Sequence, residues 1–375
     1  MREIHSASEF EKVLAQNKRL TRLAFQAIDL NPFKEKLLHT PINKCLFLGC
    51  KMDKDLMFYL QYEQENQLFP ELDMPFHMFR SELYDKESIY KNFDREDPKS
   101  YYYTPDHVIY SHYVNSGKQF ATDISVTLAQ RLHDHAITDA LEEFIKNFDP
   151  DKRVAIMGGH QLKRTDEDYL RVVKISKQLA EKGYLMMSGG GPGAMEATHV
   201  GAWMAGRSEA ELQQALEVLV QAPSFEDDGW LATSFEVIER FPRDEKYESL
   251  GIPTWAYGHE PPSPFASKIA KYFANSVREE GLLAIAMGGV IFSPGSAGTL
   301  QEIFQDACQN HYETYGKASP MIFLNKQFWE EELPIFPLMH KLKARRRYRH
   351  LQLGIGSEPE EILQLIETLG QVQDT

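Results

Sequence analysis

Apolar runs alternate with helical periods along the last three-fifths of the chain. Strands are predicted at 153–157, 184–188, 252–257, 290–293 and 321–324. Apolar residues recur at helical spacing over 166–182, 265–280, 300–310 and 359–369. This alternation is typical of a parallel sheet covered by helices on both faces. We therefore predict a Rossmann-like, doubly wound α/β domain over 151–375, with a polar insertion at about 207–248 that carries its own short helix.

The first 150 residues show a different pattern. The apolar run 44–48 predicts a strand that ends in a glycine, and a helical period predicts a helix over about 120–148. Turn-forming and aromatic residues fill the stretch between them. Residues 147–151 break the period at a proline, so we place a domain boundary near residue 150. The sequence predicts a separate α+β domain, 1–150, ahead of the domain 151–375.

Composition argues against several classes of protein. A formal net charge of -14 would repel a nucleic-acid backbone or an anionic membrane over most of the surface. No apolar run approaches the roughly 18 residues of a membrane span, and the N-terminus lacks the apolar core of a signal peptide. The three cysteines and the histidines show no zinc spacing. We expect a cytoplasmic protein that binds no metal, cofactor, nucleic acid or membrane.

The first glycine-rich turn follows the second predicted strand of the α/β domain. Residues 188–197 read Ser-Gly-Gly-Gly-Pro-Gly-Ala-Met-Glu-Ala and end where a helix should begin. Glycines allow positive φ and close approach of the backbone, and free amides at a helix start attract anions. A tight turn with no ligand is the alternative. The predicted phosphate contacts here are Gly190, Gly191, Gly193 and Ala194, with Gly159 from the end of the first strand.

The second turn follows a later strand, where residues 293–302 read Ser-Pro-Gly-Ser-Ala-Gly-Thr-Leu-Gln-Glu. Thr299 is the predicted helix N-cap, and with Glu302 it would form a capping box that needs no substrate. On spacing alone, that box is the stronger interpretation of Glu302. Two such turns at the carboxyl ends of one sheet predict a single phosphate-centred pocket. Its contacts from this turn are Gly295, Ser296, Ala297, Gly298 and Thr299.

Other nucleotide motifs fit less well. The spacing Gly189-x-Gly191-x-x-Ala194 matches a dinucleotide fingerprint, but no strand with an acidic residue follows about 20 residues later. The chain also has no Walker loop and no Gly-x-Ser-x-Gly elbow. A nicotinamide enzyme and a serine hydrolase are therefore not favoured.

The two motifs resemble those of the LOG family of Rossmann-like proteins, once called lysine-decarboxylase-like, and of the related bacterial nucleotide 5'-monophosphate nucleosidases. Residues 189–197 and 294–302 carry the resemblance, and the second stretch matches PGGxGTxxE with Ser296 in place of a glycine. The resemblance implies hydrolysis of the N-glycosidic bond of a nucleoside 5'-monophosphate to free base and ribose 5-phosphate. Family members that only sense nucleotides imply the alternative, a regulatory protein without turnover.

The resemblance also implies roles for two residues. It makes Glu302 the catalytic carboxylate, which would stabilise an oxocarbenium-like state at C1'. The family's second active residue is an arginine on the preceding helix, here Arg278, one position further from the motif's proline than usual. Glu279 follows it where plant-type members have lysine. A homodimer or higher homo-oligomer is implied as well, and the identity of the base stays open.

Five further residues are predicted as possible base or ribose contacts: Met195, Glu196, Tyr257, His259 and Glu260. Core packing is the alternative for the aromatic residues of this stretch. The triplet His133-Asp134-His135 looks like a metal site, but the two histidines point roughly 200° apart on a helix. A surface or domain-interface role is favoured for it. The basic run 341–349 is interpreted as solvated surface.

Overall fold

The computed structural model describes residues 1–371, which form two compact units. The first unit comprises Met1–Leu83 and His112–Phe144, and the second comprises Tyr84–Ser111 and everything from Ile145 onward. Residues 84–111 therefore belong to the second unit although the segments before and after them, 1–83 and 112–144, belong to the first. The sequence had indicated a single boundary near residue 150.

The first unit contains two parallel sheets. Its strands are β1 (Arg2–Ile4), β2 (Leu20–Thr21), β3 (Leu23–Gln26), β4 (Ile42–Asn43), β5 (Leu46–Leu48) and β6 (Gln67–Phe69). The larger sheet has the order β1-β3-β5-β6, and β2 pairs with β4. The first helices are α1 (Ala7–Gln16), α2 (Lys34–Leu38) and α3 (Lys54–Phe58). The rings of Phe10, Phe25 and Phe47 pack against one another in the core, and β5 confirms the predicted strand.

Three helices follow: α4 (Lys86–Ile89), α5 (Pro105–Asn115) and α6 (Ile124–Ile145). The helix α6 confirms the one predicted over about 120–148. It buries His133 and Asp134, and the His133 ring meets Phe76 edge-on at 5.6 Å between centroids. Of the two predicted alternatives, a surface position is therefore wrong for these two residues and fits only His135, because the first pair faces the core side of the helix.

The second unit is built on a seven-stranded parallel sheet with the order β10-β9-β8-β7-β11-β12-β13. These strands are β7 (Arg153–Met157), β8 (Leu185–Ser188), β9 (Ser249–Gly251), β10 (Lys268–Ile269), β11 (Gly289–Phe292), β12 (Pro320–Leu324) and β13 (Gln352–Gly356). Because the chain runs outward from β7 to β10 and then resumes at β11 on the other side of β7, the sheet is doubly wound. The predicted fold class is confirmed.

Eight helices accompany this sheet within the described residues. They are α7 (Glu167–Glu181), α8 (Ala194–Trp203), α9 (Glu209–Leu219), α10 (Trp230–Arg240), α11 (Asn275–Ile285), α12 (Ala297–Tyr312), α13 (Ile335–Ala344) and α14 (Pro359–Gln371). Residues of α7, α8 and α14 share one apolar core with the sheet. The basic run that ends α13 is exposed, as expected. In residues 1–371, no helix is long and apolar enough to cross a membrane.

Several element boundaries differ from the prediction. A strand was expected at 252–257, but the strand here, β9, lies earlier and ends at Gly251. Trp255–Tyr257 is a helical turn instead. The helix expected at 265–280 begins only at Asn275, because the chain before it forms the short edge strand β10 at Lys268–Ile269. The insertion holds two helices, α9 and α10, rather than one. The sequence did not indicate β13, whose glycines at 354 and 356 weaken the strand pattern.

A buried ionic cluster fixes Tyr84–Ser111 in the second unit. Asp106 Oδ1 accepts hydrogen bonds from Lys271 Nζ at 2.5 Å and Trp255 Nε1 at 3.2 Å, and Oδ2 accepts one from Tyr101 Oη at 2.9 Å. Both charged side chains are fully buried. Burial lowers the pKa of Lys271, and the attraction of Asp106 opposes this. A buried charge of this kind is tolerated only while its partner is present.

We predict that Asp106→Asn lowers the free energy of unfolding by about 3–5 kcal/mol, because Lys271 is left as an uncompensated buried charge. The double variant Asp106→Asn, Lys271→Met should recover most of the loss. Urea unfolding monitored by tryptophan fluorescence measures both changes. A loss below about 1 kcal/mol in the single variant would show that the pair is not needed for stability.

Candidate functional site

The two glycine turns meet at the carboxyl ends of β7, β8 and β11. The Gly159 amide donates to the Pro294 carbonyl at 3.1 Å, and the Gly159 carbonyl accepts from the Ala194 amide at 3.1 Å. Gly193 caps α8 with φ of 71°, and a Cβ there would lie 2.3 Å from the Gly159 oxygen. Only glycine fits such an approach. The structure thus brings the two predicted turns together at the point where the sheet reverses.

A buried histidine is hydrogen-bonded to the strand that leads into the first turn. His199 Nε2 lies 2.8 Å from Ser188 Oγ, and Nδ1 lies 3.0 Å from Ser249 Oγ. Ser188 Oγ in turn accepts the Gly190 amide at 3.0 Å. Burial lowers the pKa of His199 to about 3, so the ring is neutral at physiological pH. The histidine therefore acts as a structural link between β8, β9 and the turn.

These bonds change the predicted set of phosphate donors. The amide of Gly190, predicted as a phosphate donor, is already hydrogen-bonded to Ser188 Oγ, and the amides of Gly159 and Ala194 also have acceptors within the protein. They hold the turns in place instead. The first turn is buried throughout, and Gly191 and Gly193 remain predicted phosphate contacts.

The second turn has the open helix start that an anion needs. The helix α12 begins at Ala297, and Ser296 precedes it without a side-chain capping bond. Thr299 is therefore not the N-cap, and the expected capping box with Glu302 is absent because both residues lie inside the helix. Ser296, Ala297 and Gly298 are exposed, and the first amides of a helix have no partner within it. Thr299 itself is buried, with Oγ1 packed against Gly295.

Arg278 and Glu302, the two predicted active residues, lie beside each other. Arg278 Nη1 lies 3.6 Å from Glu302 Oε1, and the two side chains are only 10% and 12% exposed. The Arg278 Nε group donates to the Ile252 carbonyl at 2.8 Å. A Cβ built on Gly189 would lie only 2.0 Å from Arg278 Nη2. The glycine therefore makes room for the guanidinium over the first turn.

Burial dominates the electrostatics of Glu302. It raises the pKa of this carboxyl to about 7, against the lowering effect of Arg278 and with a further increase from Glu279. Glu279 is held by Asn275 Nδ2 at 2.7 Å and Gln301 Nε2 at 2.8 Å. A carboxyl that titrates near neutrality beside an arginine is a recurrent feature of catalytic sites.

A second acidic group lies at the other side of the first turn. Glu260 Oε1 lies 3.8 Å from both His160 Nδ1 and His259 Nε2, and Oε2 lies 3.5 Å from a Cβ built on Gly191. Met195 Sδ and Cε lie between Gly189 and Gly191. The structure thus brings Met195, His259 and Glu260 to this turn, while Tyr257 lies half-exposed on the preceding helical turn.

Glu196 does not face this space, which corrects its prediction as a base or ribose contact. Its carboxylate is completely buried and receives Arg164 Nε at 3.0 Å, Arg164 Nη2 at 2.5 Å and Tyr169 Oη at 3.0 Å. Arg164 also donates to Thr233 Oγ1 and Ser234 Oγ on α10. The pair therefore anchors the insertion to α8.

Sequence reasoning missed His160, Arg164, His199 and Asp306. His160 directly follows the glycines at the end of β7, and that position was the signal that could have revealed it. Asp306 lies one turn after Glu302, fully buried, and burial raises its pKa well above the ordinary range. Of the residues that the structure describes, Glu3, His5 and Asp139 in the first unit are close enough to share a metal ion.

Comparison with known proteins finds similarity in structure alone, since neither a family model nor a curated protein matches the chain. The molybdenum cofactor binding protein of Rippkaea orientalis is 18% identical, with a TM-score of 0.37 over 58% of this chain and 96% of that one. The structural-genomics target TM1055 is 21% identical, with a TM-score of 0.39 over 58% and 99%. The Moco carrier protein of Chlamydomonas reinhardtii is 15% identical, with a TM-score of 0.36 over 60% and 99%. Likeness at this level concerns the fold alone.

We predict that Gly193→Ala lowers the free energy of unfolding by at least about 2 kcal/mol, because positive φ and a backbone oxygen at 2.3 Å both oppose a Cβ. The matched control is Gly298→Ala, whose Cβ would meet nothing within 4 Å. Its effect on unfolding should stay within about 0.5 kcal/mol. Equal stability of the two variants in thermal unfolding would contradict the close approach of the turns.

Proposed function

We propose that the second unit is a LOG-type phosphoribohydrolase, which hydrolyses the N-glycosidic bond of a nucleoside 5'-monophosphate to free base and ribose 5-phosphate. The observation that carries the proposal is the pair Arg278 and Glu302, which come from different helices and meet at 3.6 Å beside both glycine turns. The absence of a capping box supports it further, because Glu302 then has no structural duty at the start of α12.

Glu302 is the group that acts at the sugar. Breaking the C1'-N bond leaves positive charge on the ribosyl ring, which an adjacent carboxylate stabilises. Water gives its hydroxyl group to C1' and its remaining proton to the base, which leaves with the electron pair of the broken bond. Glu302 performs this role in its ionised form, and it also orients the attacking water.

The start of α12 is the better phosphate site of the two turns. The exposed residues Ala297 and Gly298 lie in its first turn, at the positive end of the helix dipole. Glu302 lies one turn further along the same helix, so a phosphate bound at the helix start places the sugar near its carboxylate. Phosphate binding then contributes orientation at C1' as well as affinity.

Arg278 is suited to hold the sugar or the leaving base rather than to form a closed ion pair. One nitrogen is fixed by the Ile252 carbonyl, while Nη1 lies 3.6 Å from Glu302 and 3.9 Å from Glu279, both beyond a normal hydrogen bond. The guanidinium therefore retains donor capacity for a substrate. Its charge also lowers the pKa of Glu302 and so favours the ionised form.

Incubation with purine and pyrimidine monophosphates, with detection of free base and ribose 5-phosphate, tests the proposal. We predict that Glu302→Gln lowers turnover at least about a hundredfold while nucleotide binding is kept. The matched control Glu280→Gln should leave turnover unchanged. Full turnover in Glu302→Gln would overturn the catalytic role. Thermal stabilisation by a monophosphate without release of base would instead indicate a nucleotide-binding protein without turnover.

The raised pKa of Glu302 predicts the pH dependence. Because the ionised form acts, kcat/KM should rise with pH and level off above about 7. Glu279 raises this pKa, so Glu279→Gln should move the rise to lower pH, whereas Glu280→Gln should not move it. The folded-state pKa lies above the ordinary value of 4.5, so Glu302 stabilises the fold below pH 4.5 and loses that contribution as the pH rises to about 7. Glu302→Gln should therefore be more stable than the natural protein at pH 8. A rise in kcat/KM that no variant moves would contradict the assignment.

A further inference from the structure

The second unit contains a cleft of about 500 Å³ with aromatic walls. Tyr101 and Tyr102 from the segment 84–111 line it, together with Phe225 and Trp230 from the insertion and His259 from the turn after β9. We refer to it as the aromatic cleft. Its volume lies in the usual range for a small-molecule site, and aromatic rings are the common platform for nucleobases.

The aromatic cleft adjoins the glycine turns. His259 lines the cleft, and its Nε2 atom lies 3.8 Å from Glu260, whose other oxygen borders Gly191. On the side of the insertion, the rings of Phe225 and His160 meet edge-on at 6.1 Å between centroids. His160 follows the glycines of β7. A ligand bound at the turns can therefore extend into the aromatic cleft.

The polar lining is mostly acidic. It includes the carboxylates of Asp97, Glu226, Asp227 and Asp228, against the single ammonium group of Lys99. Asp97 and Asp227 accept backbone amides at 3.1 and 2.8 Å. The carboxylates of Glu226 and Asp228 have no side-chain partner among the residues that the structure describes. A carboxylate only accepts hydrogen bonds, so this lining suits ligand groups that donate them.

The wall from the segment 84–111 is held rigidly. Tyr101 Oη donates to Asp106, Tyr90 Oη donates to the Pro262 carbonyl, and Arg95 Nη1 lies 3.0 Å from Glu239 on α10. A wall fixed before binding loses little conformational entropy when a ligand enters. The segment 84–111 thus completes the aromatic cleft by providing one of its walls.

We propose that the aromatic cleft binds the base of the nucleotide and that its carboxylates select bases with exocyclic amino groups. The inference rests on the proposed function, since it takes the phosphate to lie at the glycine turns. Adenine and cytosine present an amino donor where hypoxanthine and uracil present a carbonyl acceptor. A carboxylate attracts the first group and repels the second.

Binding of matched nucleotide pairs to the full chain tests this. Isothermal titration should show AMP bound about tenfold more tightly than IMP, and CMP about tenfold more tightly than UMP, which matches one charge-assisted hydrogen bond. In Asp228→Asn combined with Glu226→Gln, both ratios should fall towards one. Affinity for ribose 5-phosphate, which has no base, should stay unchanged.

A second pair of variants tests the aromatic wall. Tyr102→Ala should weaken all four nucleotides about tenfold through the loss of a stacking surface, again without an effect on ribose 5-phosphate. The neighbouring Tyr103, which is 72% exposed and does not line the cleft, provides the control Tyr103→Ala. Thermal unfolding of each variant shows whether the fold is kept.

The outcomes separate this inference from the proposed hydrolysis. Selective binding of AMP and CMP without release of base would overturn the hydrolysis and support the base subsite. Release of base with equal affinity within each pair, unchanged in Tyr102→Ala, would overturn the base subsite and support the hydrolysis. A failure of all four nucleotides to bind would overturn both.

Discussion

The second unit depends on one close approach of backbones at the point where its sheet reverses. The Gly159 amide donates to the Pro294 carbonyl, and the Gly159 carbonyl accepts from the Ala194 amide. The loops that follow β7, β8 and β11 therefore meet through their backbones, without any side chain between them. A single Cβ at Gly193 would separate them. Because α8 and α12 both start from this junction, it fixes the two helix starts relative to each other. The position of Glu302 on α12 follows from it.

Two buried arginine-glutamate pairs show how the same chemistry serves structure and function differently. Arg164 donates hydrogen bonds to the Glu196 carboxylate. Its other N–H groups donate to carbonyls and hydroxyls of the insertion. That pair is saturated and has nothing to offer a ligand. Within residues 1–371, the Arg278 side chain makes one hydrogen bond, and it faces Glu302 at a distance longer than a hydrogen bond. An unsaturated pair in a buried setting raises the free energy of the folded state, which is the usual condition of groups that act on a substrate.

The sequence was informative where the signal is local. Both glycine turns could be predicted because residues 188–197 and 293–302 each combine strand end, turn and helix start within ten positions. The predicted helix start was three residues too late, since the spacing of Thr299 and Glu302 resembles a capping box while the helix begins at Ala297. Glu196 was misassigned for a related reason. Its place in the motif puts it near the turn, but the helical period turns its side chain towards Arg164.

The excursion of residues 84–111 could not be predicted, because it depends on partners far apart in sequence. Asp106 and Lys271 are separated by 165 positions, and neither lies in a recognisable motif. Apolar packing alone would bury the same segment with little preference for orientation, whereas a carboxylate with three donors fixes direction as well as contact. Asp106 binds Tyr101 from one wall of the aromatic cleft and Trp255 from the turn that carries His259. One buried carboxylate therefore sets the spacing between two sides of the cleft, and the opposite charge of Lys271 offsets the cost of burying it there.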